Sequence, residues 1–244
     1  GEFSLSAEGM VAGYKHFFIR HVSFSLKGGD IFGLVGQSGS GKSTIMKTII
    51  GQLDSLDGSL RARLDDQAVP LHGVVGYSPQ DNALFEELTI RENIETFSAL
   101  RGVKRSRMQK RMHELLDRFD LLQAVDQRVS RLSGGMKKRL DIVVAIMHSP
   151  RVLVLDEPFN GLDVAMQMFI WELLLEYAKE GNIVILSSHI LADIGRFCTK
   201  VGLVYKGFFY DDNDIDQAMT ASGKDFLTYL TELFEHNRNQ VVDG

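Results

Sequence analysis

The sequence has one cysteine, no apolar run of membrane-spanning length and no excess of positive charge, and each shortage removes a class of protein. A lone Cys198 allows neither an internal disulfide framework nor a thiolate metal cluster. It reads as a small buried hydrophobe in a chain suited to a reducing cytosol. No apolar stretch approaches the roughly 18 residues needed to cross a bilayer, and no basic segment followed by an apolar core opens the chain. Neither secretion nor direct insertion into a bilayer is expected. Gly1-Glu2-Phe3, which carries no initiator methionine, is given no weight. With 27 basic against 32 acidic residues and a net charge of -5, the overall field argues against a protein that coats nucleic acid. Internal repeats, sustained heptads and low-complexity linkers are also missing.

What is present is a hydrophobic fraction of 44% over 244 residues, enough for one large domain or for a core with a subdomain. Its centre is the stretch from Ile31 to Gln52. Ile31-Phe32-Gly33-Leu34-Val35 reads as a short buried strand, and Ile45, Met46, Ile49 and Ile50 share one face of a helix that stops at Gly51. Between them, Gly36-Gln37-Ser38-Gly39-Ser40-Gly41-Lys42-Ser43-Thr44 has the spacing of a phosphate cradle. Glycines let backbone N–H groups approach a polyphosphate at a positive helix end; Lys42 would reach the β- and γ-phosphates and Ser43 would hold Mg²⁺.

The remaining chain supplies polar tips to apolar strands. Val22, Phe24 and Leu26 alternate with polar residues ahead of a turn at Lys27-Gly28-Gly29-Asp30, and turn-rich short pieces from Leu53 to Gly76 suggest more antiparallel hairpin. Tyr14 lies where an aromatic could stack on an adenine or simply belong to a strand or turn. A strand through Val74 to Tyr77 ends at Pro79, which leaves Gln80 at its tip. Residues 88–131 become helical and charged, with a capping box predicted at Thr89 and Glu92 and one apolar face through Met108, Met112, Leu115, Leu116 and Phe119. Leu132-Ser133-Gly134-Gly135-Met136 opens another helix. Val152 to Leu155 delivers the Asp156-Glu157 pair at a strand's carboxyl end, the edge where parallel α/β sheets bind ligands. Gly161-Leu162-Asp163 leads into a long helix, and Ile183 to Leu186 ends in Ser187-Ser188-His189. Beyond Val201 the alternation suggests edge β structure, and Phe226 to His236 a terminal amphipathic helix with nothing catalytic.

This ordered set resembles the nucleotide-binding domain of the ABC ATPases over nearly the whole chain. Gly36 to Thr44 is similar to their Walker A, Gln80 to the Q-loop, Leu132 to Met136 to the signature, Val152 to Glu157 to Walker B, Asn160 to Asp163 to the D-loop and His189 to the switch histidine. Tyr14 matches the family's adenine-stacking aromatic. Met136 stands where glutamine is commonest, a variant frequent in the export-type branch, and Phe159-Asn160 replaces the usual small or hydroxyl residues.

The resemblance implies an α/β fold: a P-loop NTPase core with a mainly parallel sheet and an antiparallel β subdomain over residues 1–87 and 150–244, and an inserted helical subdomain over 88–149 that carries the signature. It implies ATP and Mg²⁺ as cofactors. Glu157, His189, Gln80 and Lys42 would act on the γ-phosphate, and Ser43, Gln80 and Asp156 on the metal. Tyr14, Gly36 to Thr44 (including Gln37, Ser38, Gly39, Ser40 and Gly41) and, across a head-to-tail dimer, Ser133, Gly134, Gly135 and Asp163 would hold nucleotide. The implied role is the ATPase subunit of a membrane transporter, with export the expected direction, peripheral on a cytoplasmic membrane face beneath transmembrane permease subunits and paired with an identical or different second ATPase. Nucleic acid is not an expected partner. An ABC ATPase acting on nucleic acid or ribosomes is the rival reading, although two cassettes or a long coiled-coil insertion are absent. A P-loop small-molecule kinase would leave Leu132 to Met136 unexplained.

Overall fold

The computed structural model describes residues 1–242. Unbroken apolar runs become strands buried on both faces: β3 (Ile31–Val35), β7 (Val152–Leu155) and β8 (Ile183–Ser187) are buried at every residue. They lie parallel to one another and to β6 (Val75–Ser78) and β9 (Lys200–Tyr205). Side chains along these strands alternate between two cores. Val152, Val154, Ile183 and Ile185 join one cluster, while Leu153, Leu155, Val184 and Leu186 join the other.

The antiparallel part comprises β1 (Phe3–Tyr14), β2 (Phe17–Lys27), β4 (Asp57–Leu64) and β5 (Gln67–Val69). Asp65 and Asp66, both with positive φ, make the turn between β4 and β5. A short strand, β10 (Phe208–Tyr210), joins the two parts by pairing with β9 and meeting β2, which gives one ten-stranded order, β5-β4-β1-β2-β10-β9-β3-β8-β7-β6. The expected edge strand beyond Val201 is therefore corrected. β9 sits between β3 and β10 in the interior of the sheet, because the chain crosses over from β8 rather than running out to a free edge.

Between β3 and β4 runs α1 (Lys42–Ile49), whose Ile45, Met46 and Ile49 pack into the core beside β1 and β2. Between β6 and β7 the chain builds α2 (Ile90–Leu100), α3 (Arg105–Arg118) and α4 (Gly134–Ile146). The capping box is formed: Thr89 accepts from Glu92 N while the Glu92 carboxylate accepts from Thr89 N. Met108, Met112, Leu115 and Leu116 are buried on α3 as its periodicity requires. Unlike α3, α4 buries charge as well, namely Lys138, Arg139 and Asp141. The chain then continues through α5 (Val164–Lys179), α6 (Leu191–Phe197), α7 (Asp212–Ser222) and α8 (Phe226–Val242). No helix among the described residues is long and apolar enough to cross a membrane.

Candidate functional site

Because β3, β6, β7 and β8 are parallel, their carboxyl ends share one edge, and the polar residues that follow each strand meet there. Gly36, Gln37, Ser38, Gly39, Gly41, Lys42, Ser43 and Thr44 line one cavity of about 840 Å³ with Gln80, Asp156, Glu157 and His189. Two glycines are dictated by the close approach. A Cβ on Gly36 would lie 2.7 Å from the Val204 carbonyl oxygen, and one on Gly41, at φ 113, would lie 2.3 Å from Ile19 Cδ1.

Lys42 Nζ donates to the carbonyl oxygens of Gly36 at 2.6 Å and Gln37 at 3.1 Å. Burial lowers its pKa, and the nearby charges of Glu157 and Asp156 oppose that shift. At the tips of β7 and β8, Ser187 links the Asp156 carboxylate to the Glu157 backbone: its hydroxyl donates to Asp156 Oδ1 at 2.7 Å and accepts from Glu157 N at 2.9 Å. Glu157 adopts φ 47, a left-handed conformation uncommon outside glycine, at the point where the side chain turns into the cavity. His189 Nδ1 donates to Glu157 Oε2 at 3.0 Å, the acceptor fixing which ring nitrogen carries the proton. A carboxylate held by an imidazole beside a buried ammonium is suited to orienting water and stabilising charge at a transferred phosphoryl group.

The donors grouped for a cation, Ser43, Gln80 and Asp156, are all oxygen-bearing and suit a hard ion such as Mg²⁺. Among the described residues no group of three or more His, Cys, Asp and Glu could hold a metal ion, so a cation here would depend on hydroxyl, amide and phosphate oxygens as well.

Six expected residues stand apart from this cavity lining: Tyr14, Ser40, Ser133, Gly134, Gly135 and Asp163. Ser40 packs under the loop, where its Oγ would be 2.5 Å from a Cβ on Gly36. Ser133 caps α4, accepting from Met136 N at 3.2 Å, and Asp163 caps α5, accepting from Met166 N at 2.9 Å. Met166 lies against Gly135, so these two helix starts are neighbours within one chain. Tyr14 ends β1 and is exposed, whereas its cross-strand partner Phe17 lines the cavity. The aromatic that β1 and β2 bring to the cavity is thus Phe17 and not Tyr14. Phe234, from α8, also lines the cavity, and no local sequence signal marked it.

The family model described as ABC transporter matches residues 19–160. The chain is 34% identical over 209 residues to the ABC-type organic anion transporter ABCA8B of Mus musculus, covering 85% of this chain and 13% of that protein. It is 31% identical over 207 residues to the linearmycin resistance ATP-binding protein LnrL of Bacillus subtilis (strain 168), covering 83% of this chain and 67% of that protein. A solved structure described as the ATP binding subunit of an ABC transporter superposes with a TM-score of 0.80 at 27% identity, covering 94% of this chain and 99% of the other. The chain spans about an eighth of the length of ABCA8B and of ATP-binding cassette sub-family A member 9 of Homo sapiens, 13% in each case.

Proposed function

Since the chain belongs to the ABC transporter family as one of its ATP-binding, ATP-hydrolysing components, we propose that it powers the outward movement of a substrate through transmembrane partners. The observation that carries this reading is the meeting of four strand tips, with Lys42, Gln80, Asp156, Glu157 and His189, around one cavity of nucleotide size. Lys42 would leave the two loop carbonyls for the β- and γ-phosphates. Glu157, oriented by His189 and by the Ser187 hydroxyl on its own N–H, would polarise the attacking water, and His189 would contact the γ-phosphate. Ser43, Gln80 and Asp156 would hold Mg²⁺, which neutralises charge on the transferring group when bound.

Ser133, Gly134 and Gly135 lie away from this chain's own cavity, which supports a head-to-tail pair in which the positive start of α4 caps the γ-phosphate held by the second subunit, with Asp163 beside it. In this reading residues 88–149 move as a helical unit on a core of 1–87 and 150–244, Gln80 reports nucleotide state to that unit, and the membrane partner docks there. The protein then works peripherally on the cytoplasmic face. Outward direction is supported by Met136 and by a relative named for linearmycin resistance.

The test is Glu157→Gln. It retains ATP binding, loses about 10²- to 10⁴-fold in turnover and accumulates an ATP-bound dimer on gel filtration. A monomer in ATP together with undiminished hydrolysis would overturn the proposal.

A further inference from the structure

The terminal helix reaches the phosphate loop. Leu230 of α8 is fully buried, and Phe226 packs against Gly195 of α6, the helix that starts two residues after His189. Further along α8, the side-chain amide of Gln37 donates to the Phe234 carbonyl oxygen at 2.9 Å, and the Phe234 side chain lines the cavity beside His189 and Leu191. Gln37 is therefore held on two sides, since its own carbonyl oxygen accepts from Lys42 Nζ. Phe17 stands at the opposite end of the loop, 3.4 Å from where a Cβ on Gly41 would be. One aromatic residue walls each end of the loop, and only Phe17 belongs to the antiparallel strands.

We propose that α8 is a strap of the nucleotide site: Phe234 walls the end of the cavity nearest Gln37, and its bond with Gln37 positions the loop residue to which Lys42 is tethered. Nucleotide binding and α8 docking then stabilise each other, because a fixed loop loses less freedom when it closes on phosphate. Phe234 and Gln37 act on binding and not on the chemical step, so their loss raises KM and leaves kcat.

The experiment uses the full chain with ATP in steady-state hydrolysis and in equilibrium titration with a fluorescent methylanthraniloyl-ATP. Phe234→Ala raises KM and the dissociation constant about fivefold with kcat within about twofold, and Phe234→Leu recovers most of the loss. Amide exchange across residues 226–236 slows when ATP is added to the parent. Leu227→Ala, an exposed change on the same helix, leaves KM and kcat at parent values. Unchanged KM in Phe234→Ala, a lowered KM, an equal shift in Leu227→Ala, or exchange indifferent to ATP would each overturn the strap. The inference rests on the cavity being the nucleotide site. If that reading failed, the parent itself would bind no nucleotide, whereas failure of the strap alone leaves parent binding intact.

Discussion

Two lysines are withdrawn from water in this protein, and their partners differ in kind. Lys42 is bonded to two backbone carbonyl oxygens at the wall of an open cavity, with Asp156 and Glu157 acting on it only through space. Lys138 is enclosed beneath α4, where Nζ lies 3.7 Å from Asp141 Oδ2 and donates to Pro79 O at 2.9 Å, while the Ser78 hydroxyl donates to the same carboxylate. Burial pushes the pKa of Lys138 down and that of Asp141 up, and their mutual attraction opposes both shifts. A cation on neutral acceptors can transfer to a phosphate. A cation committed to a carboxylate cannot, and it fastens α4 to the strand tip that leads to Gln80. On the proposed reading the first lysine is placed for chemistry, while the second holds α4 to the strand tip.

The largest effect that would break this distinction lies at the enclosed pair. Lys138→Ala leaves Asp141 buried without its counter-charge and should lower stability by about 3–5 kcal/mol in urea unfolding. Combining Lys138→Met with Asp141→Leu, which removes both charges, should recover most of that loss. A Lys138→Ala protein as stable as the parent would show that the pair holds nothing.

Lys42→Ala should give the inverse pattern. Turnover falls by about 10²- to 10³-fold, while stability moves by no more than about 1 kcal/mol, because Gly36 O and Gln37 O face a cavity that water can enter. ATPase rates set beside urea midpoints for the two alanine variants separate the lysines. Matching profiles would erase the distinction between them.

How far this contrast could be read from sequence depends on the range of the interactions. The parallel strands were legible because four or five consecutive apolar residues fit a strand covered on both faces, and each was followed at once by its polar tip. The capping box at Thr89 and the helix starts after Ser133 and Asp163 were equally local. The position of β9 was not, since alternation says which face is buried and nothing about which strand lies alongside. Phe17, the cross-strand partner of Tyr14, lines the cavity where Tyr14 was expected, and a pairing between strands is not written in either strand alone. The Lys138–Asp141 pair gives no local signal, because its third member, Ser78, lies 60 residues or more away. Phe234 lies 197 residues from Gln37, so an amphipathic pattern could reveal the helix without its docking site.

Cys198 extends the comparison to a half-buried thiol whose environment offers its charged form no compensation. Its thiol is pushed up to about 12 by burial first and the Asp212 charge second, and its sulfur lies 2.9 Å from where a Cβ on Gly33 would be. The folded thiol thus keeps its proton at pH values where the unfolded thiol, at its ordinary value of 9.0, has released it. Between the two values the unfolded state binds fewer protons, so stability is fully retained below pH 9 and declines as pH rises toward 12. One pH unit into that window the decline from this group is about 1.4 kcal/mol. Tyr77, raised from 10.0 to about 12 chiefly by burial, adds its own decline only above pH 10. Urea midpoints taken at pH 8 and pH 10 should therefore fall further in the parent than in Cys198→Ala, and iodoacetamide at pH 8 should label the thiol only once the chain unfolds. Equal falls in both proteins, with rapid labelling of the native one, would mean that the sulfur is not held out of water, and the comparison would then rest on the two lysines without it.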